Sequence, residues 1–415
     1  MNAMTTGTGP GRARRATLTA CALLIIAQPF APAYAGPYEQ AKRIYERIAG
    51  VPPTPAVLNQ MASAICGGTC AAGAAGAAPG SAGLLQAAQI ATNAPSFYNV
   101  TLKNWAMPWT NRSATVFSPL NDSVATVIGM VRDGVPFNTA LSADILYVSN
   151  ASGLPAASIA NDNHYATAEA NGVELMSTLV KTTQSATYGI PTAATAGLIT
   201  TRGAASAFFI NGTNRAMFRF TMINQFCNDM PALMDTTRPS DRIRQDVARS
   251  PGGDSQIFLT NCVGCHSGMD PMAQAFAYYN FNGTVGAVVN TGTMQYTAGQ
   301  VQPKYFINST NFPFGFVTPD DSWSNRWRSG VNASFGWSPS LPGSGNGAKS
   351  LGQEIESSTG FAQCQVTKVF QTVCFRAPQS SADMATVAAI TQSFQSGGYK
   401  LKQVFQLAAA ACPGS

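Results

Sequence analysis

The chain has 415 residues, of which only 11% are charged, and a formal net charge of +6. Soluble domains usually carry roughly 25% charged residues, so Ala, Gly, Ser, Thr and Asn must cover much of this surface. A balance this close to neutral argues against nucleic acid as a partner, and the length suits two domains or one large one.

Residues 1–35 read as a signal peptide. Arg12, Arg14 and Arg15 form a positive start, residues 18–27 are a short apolar core, and Ala33-Tyr34-Ala35 is a small-x-small cleavage site. Leu18-Thr19-Ala20-Cys21 mimics a lipidation box but precedes most of the apolar core, so cleavage near Ala35 is the stronger reading. The apolar run is too short to span a bilayer, and no transmembrane segment is expected in the mature chain. Losing three arginines takes the count of basic residues from 25 to 22 against 19 acidic ones, a net charge of +3. The expected location is periplasmic or secreted.

From Pro37 the pattern is mostly helical. Tyr38, Ala41, Ile44, Tyr45 and Ile48 form a stripe at helical spacing, and residues 67–83 look like a flexible Gly/Ala/Ser insert. Helices are predicted over 84–92, 96–105, 121–132, 168–180 and 213–233, the last interrupted near Pro231. Ser250-Pro251-Gly252-Gly253-Asp254-Ser255 is a turn leading to a helix N-cap. Between 283 and 346 aromatic residues, Gly, Asn and Pro dominate, with a strand predicted over 302–308 and a loop over 338–347. The helical pattern returns over 351–357, 361–375, 384–394 and 400–411.

The most informative stretch is Cys262-Val263-Gly264-Cys265-His266. Cys-x-x-Cys-His is the attachment signature of a c-type haem, because two thiols one helical turn apart can each add to a haem vinyl group. The next residue, His266, then supplies the proximal imidazole. With nine Cys and two His in the chain, random placement yields the pattern in roughly one such chain in a thousand. A redox Cys-x-x-Cys lacks its βαβ setting here, and half a zinc site lacks a nearby second pair, Cys66 and Cys70 being almost two hundred residues away. Phe258 precedes the motif by one turn, an arrangement that resembles the first helix of class I cytochromes c.

For the sixth iron position, His164 is the only other histidine and Met294, in Thr291-Gly292-Thr293-Met294, is the rival. Met269 and Met272 stand too close to His266 to reach the opposite haem face and are read as packing. Arg242, Arg244 and Arg249 either pair with the propionates or form a solvated helix face with Asp241 and Asp246. Asp270-Pro271 is read as a turn and helix start, and Trp323, Trp327 and Trp337 as core. Of the six cysteines left in an oxidising compartment, Cys66 with Cys70 and one pair among Cys364, Cys374 and Cys412 suit bridges.

Two stretches resemble a family of large haem-c proteins abundant in planctomycetes. In the first, His164-Tyr165, the 197–203 run before Asn214-Arg215, and Cys-x-x-Cys-His-x-x-Met-Asp-Pro at 262–271 follow that family's order of motifs. In the second, Leu351-Gly352, Phe361-Ala362-Gln363-Cys364 and the 398–402 run resemble its C-terminal helical module. The charged 231–251 segment departs from that family's proline-rich linker.

The expected fold class is mainly α, with a helical haem-c domain and an irregular, partly β insert before a C-terminal helical module. The expected parts are an N-terminal helical region over 36–140, a helical region ending in the haem site over 141–282, the aromatic segment over 283–346 and the module over 347–415. The expected function is that of an exported monohaem cytochrome c exchanging electrons with a redox partner protein. The alternatives are a peroxidase-like enzyme with an open iron and a surface protein whose haem is mainly structural.

Overall fold

Helices begin in this chain where the sequence supplies a cap. The side chains of Thr54, Ser81 and Asn121 each accept a hydrogen bond from the backbone N–H three residues on. They open the helices Pro55–Cys66, Ala82–Ala91 and Asp122–Asp133. The computed structural model describes residues 34–284, 291–307, 310 and 312–413. The expected signal peptide therefore lies almost wholly outside the described residues. From Tyr34 onward the chain forms one compact unit, mainly helical, with three small antiparallel ribbons.

The first helix, Pro37–Ala49, buries Ala41, Ile44, Tyr45 and Ile48 as the stripe predicts, while Tyr38 is exposed. It packs with the next two helices and with Leu401–Ala411, so the first and last parts of the chain share a layer. Arg47 Nη1 donates to the Cys412 carbonyl at 2.7 Å, and the rings of Phe97 and Trp105 meet Phe405 edge-on. The insert at 67–83 is irregular but anchored. Buried Gln40 donates to the Ala77 carbonyl and accepts from the Ala77 N–H.

The helix Asp122–Asp133 lies in the core and is buried along ten consecutive residues, Asp122 to Val131. The ribbon β1 (Leu146–Ser149) with β2 (Leu179–Thr182) crosses it, with the Tyr147 ring against Gly129. A β-carbon at Gly129 would stand 2.2 Å from that ring, so no other residue fits. β3 (Tyr279–Asn282) pairs with β4 (Thr293–Tyr296), and β5 (Ser322–Ser324) with β6 (Ser344–Asn346). The C-terminal helices Gly347–Glu356, Thr359–Cys374, Ser381–Ser396 and Leu401–Ala411 agree with the sequence pattern.

Four local expectations are corrected. The helix expected over 168–180 is two short helices, Asn163–Ala170 and Leu175–Thr178, followed by β2. Gly172 in the left-handed region breaks the run, and Leu179 and Val180 find partners on β1. The strand expected over 302–308 contains the 3₁₀ turn Pro303–Phe306, where proline fixes φ and lacks a donor for a ladder. The loop expected over 338–347 contains β6. Asp270-Pro271 lies inside the helix Val263–Ala273 instead of starting one.

Cysteines stand at disulfide distance in three pairs, Cys66–Cys70, Cys227–Cys364 and Cys374–Cys412. The third pins the last helix to Thr359–Cys374. Among the described residues no helix is long and apolar enough to cross a membrane.

Candidate functional site

The Cys-x-x-Cys-His stretch is held at a bend between two helical geometries. Asp254 caps the run by accepting from the Gln256 N–H at 2.8 Å. Then come one α-turn (Ser255–Ile257), a π-turn (Phe258–Cys262) and the α-helix Val263–Ala273. Gly264 and Gly268 form the docked side of that helix. A β-carbon at Gly268 would lie 2.0 Å from Trp327 Nε1, and one at Gly264 would lie 3.2 Å from Met234 Cε. Trp327 is fully buried, so its indole sets how closely the helix approaches the 3₁₀ turn Arg326–Arg328. The Asp235 N–H donates to the Gly264 carbonyl at 2.9 Å, and Ser267 Oγ to the Asp235 carbonyl at 3.1 Å, which ties the preceding loop to the same side.

Helical spacing turns Cys262 and His266 away from that docked side, Cys265 stands at its margin against the main core, and all three are half-buried. Cys262 and Cys265 are the described cysteines that form no bridge. Cys262 packs against Ile243, Val247, Phe258 and Val263, a small apolar cluster separate from the main core. Cys265 Sγ lies 3.4 Å from the Met230 carbonyl. Burial pushes its thiol pKa up, and the charge of Asp229 adds to this, so it stays protonated near neutral pH. Just before the motif, Ile257 and Leu259 are exposed apolar side chains.

His266 Nδ1 stands 3.1 Å from Asp270 Oδ1, one turn further along the helix. Asp270 is buried and sits at the centre of an ion network. Arg215 Nε donates to Oδ1 at 2.6 Å and Nη2 to Oδ2 at 2.7 Å, while the Arg244 backbone N–H donates to Oδ2 at 3.2 Å. Arg215 also binds Asp246, with Nη2 donating to Oδ1 at 2.8 Å. Burial alone would raise the Asp270 pKa, but the Arg215 and Arg244 guanidinium groups outweigh it and hold it well below the usual carboxylate range. An ionised carboxylate only accepts, so the His266 nitrogen facing it carries the hydrogen. In the neutral ring this orientation leaves the lone pair on Nε2, the tautomer that ligates a metal.

The arginines before the motif correct one of their two expectations, the solvated helix face. The 239–250 segment is irregular, so there is no solvated helix face. Arg244 is a core residue, 1% exposed, donating to Thr213 O and Oγ1 with its guanidinium over the Tyr305 ring. Arg249 donates to the carbonyls of Val247 and Ile243 and covers Phe258. Arg242 lies over Phe316 and has a buried Nη1 with no partner. Asp241 pairs with Arg326 and Asp246 with Arg215, not with these three.

Both candidates for the sixth iron position are engaged elsewhere in this structure. His164 is buried with both ring nitrogens engaged by backbone: Nε2 accepts from the Ser149 N–H at 2.9 Å and Nδ1 donates to the Pro155 carbonyl at 2.7 Å. It fixes β1 against its own helix and has no lone pair left for a metal. Met294 is on β4 opposite Phe281 and is 3% exposed in the main core. The motif helix packs instead on Arg215–Phe226, on β5, and on the turns at Met230–Leu233, Gln274–Phe276 and Arg326–Arg328. Met269 and Met272 are buried packing residues, as are Trp323, Trp327 and Trp337.

No family model, curated protein or solved structure matches the chain. Among the described residues, no group of three or more His, Cys, Asp and Glu side chains gathers as a metal cage. The site residues that sequence reasoning missed are Arg215 and Asp270. The spacing of Asp270 from His266, four residues on a helix, was the available signal.

Proposed function

We propose that this is an exported monohaem c-type cytochrome that holds one haem through Cys262, Cys265 and His266 and exchanges electrons with a redox partner protein. The observation that carries the reading is the state of the motif residues. Two half-buried thiols one turn apart remain unbridged where the other six described cysteines are paired. The imidazole that follows them has Nδ1 tied to a carboxylate and Nε2 available. The donor set fits a covalent haem: Cys262 and Cys265 would form the thioethers, and His266 Nε2 the axial bond. The apolar cluster of Ile243, Val247, Phe258 and Val263 beside Cys262, with exposed Ile257 and Leu259, suits the edge of a macrocycle. The order of motifs over 262–271, which resembles that of the planctomycete haem-c proteins, points the same way.

When bound, the haem supplies the one-electron couple. The chain's own contribution is to place and tune it. Trp327 against Gly268 fixes the helix, Asp270 fixes the His266 ring and its tautomer, and the Arg215 and Arg244 guanidinium groups keep Asp270 ionised. A second reading, a haem enzyme with an open iron face, is favoured by one observation. His164 and Met294, the sixth-ligand candidates of the sequence, are engaged elsewhere.

Optical and electron-paramagnetic spectra of the purified ferric protein separate the two. A low-spin six-coordinate signal supports the carrier, and a high-spin signal that changes on adding cyanide supports the open site. Absence of covalent haem from protein made in a host that attaches it would refute both.

A further inference from the structure

We infer that Asp270 is a positioning residue that sets the reduction potential of an iron bound at His266 Nε2, and that Arg215 moderates its effect. The inference rests on the haem reading above and concerns how this chain regulates that site.

A ring N–H that donates to a carboxylate gives up more of its proton than one donating to a neutral carbonyl. The opposite nitrogen becomes a stronger donor, which favours ferric over ferrous iron. Asp270 Oδ1 lies 3.1 Å from His266 Nδ1, and its side chain is buried away from water that would weaken the bond. The carboxylate is not given to His266 alone. Arg215 reaches the same Oδ1 at 2.6 Å and the other oxygen at 2.7 Å, a bidentate pair shorter than the contact to the ring. The Arg244 backbone N–H takes a further position on Oδ2 at 3.2 Å. His266 and Arg215 therefore compete for electron density on one oxygen. Arg215 draws that density away, and Asp246 holds Arg215 in place by pairing with it from the other side.

Two substitutions then have opposite signs. Asp270→Asn replaces the anion with a neutral acceptor of the same shape, so the His266 nitrogen becomes a weaker donor. Arg215→Gln removes the competitor, while the Arg244 guanidinium 3.9 Å from Oδ1 and the Arg244 backbone N–H on Oδ2 stay to hold the anion, so His266 becomes a stronger donor. A purely structural role for the network would move both variants the same way, or leave the iron untouched.

The experiment uses haem-loaded wild type, Asp270→Asn and Arg215→Gln, each checked first for covalent haem by its pyridine haemochrome. Wild type without covalent haem overturns the haem reading itself, and this inference with it. With haem present, spectroelectrochemical titration gives the potential, and resonance Raman of the ferrous protein, or of its photolysed carbon monoxide adduct, gives the iron–histidine stretch. Asp270→Asn should raise the ferrous-to-ferric ratio at fixed ambient potential about tenfold, which is about 59 mV for a one-electron couple. It should also lower the stretching frequency. Arg215→Gln should lower the ratio and raise the frequency. Shifts of one sign in both variants, or an unchanged potential in both, overturn the inference. If neither variant folds with haem, the wild-type stretch decides: a value typical of a neutral imidazole with a carbonyl partner refutes the inference, and a value shifted toward imidazolate supports it.

Discussion

Glu356 offers a test of how burial holds an ionisable group neutral in this fold. Its side chain is 2% exposed, at the end of the helix Gly347–Glu356. Oε2 accepts from the Leu141 N–H at 2.7 Å, and Ser142 Oγ bonds to Oε1, so it joins the C-terminal module to the start of the 141–282 region. Burial pushes its pKa up from the ordinary 4.5 to about 8, and the two hydrogen bonds only partly oppose this. Below pH 4.5 the group is protonated in both folded and unfolded chains and has no effect on the pH dependence. As pH rises toward 8 the unfolded chain ionises while the folded one keeps its proton, so stability falls. At pH 7 the loss is about 3 kcal/mol at 1.36 kcal/mol per pH unit, and it levels off above pH 8. Glu356→Gln keeps the shape, accepts from Leu141 and cannot ionise. In denaturant titrations from pH 4 to 9, wild type should lose about 3 kcal/mol relative to this variant between pH 4.5 and 7. A difference that stays constant across that range would refute the reasoning and place a charged Glu356 in the folded protein.

Three further outcomes follow from the packing. Trp327→Ala should destabilise the protein by about 4 kcal/mol, by opening a cavity behind Gly268, and should reduce haem loading; thermal melts and haem absorbance per protein check it. Cys374→Ser opens a bridge with a sequence separation of 38 residues, for an expected loss of about 4 kcal/mol in denaturant titration, against about 5 kcal/mol for Cys227→Ser with its separation of 137. His164→Ala removes the partner of the Ser149 N–H and should destabilise by about 1–3 kcal/mol, while the haem spectrum and potential stay as in wild type.

Elements with a strong local signal were legible in the sequence. The stripe Ala41, Ile44, Tyr45 and Ile48 and the C-terminal helices follow from the 3.6-residue period alone, and the Cys-x-x-Cys-His pattern carries its own chemistry. What was not legible depends on distant partners. Pro271 reads as a helix start, yet Asp270 beside it is gripped by Arg215, fifty-five residues earlier in the chain, and the helix continues through. β2 reads as helix until β1 is placed beside it. His164 suggests a ligand because histidine is scarce here; only the folded chain reveals that Ser149 and Pro155 take up both its nitrogens. The arginines at 242–249 carry one charge each in sequence, but burial separates core Arg244 from its neighbours. The helix Pro55–Cys66 went unrecognised because its apolar residues are spread around it and few of them are buried.

Covalent attachment at Cys262 and Cys265 decides whether this chain is a c-type cytochrome. The intact mass of the exported protein after acid-acetone extraction, read alongside its pyridine haemochrome, reports on that attachment. One haem should stay with the polypeptide, with the spectrum of two thioether links. Cys262→Ala and Cys265→Ala should each leave a labile or absent cofactor. Haem that extracts freely from wild type, or zinc found in its place, would contradict covalent attachment.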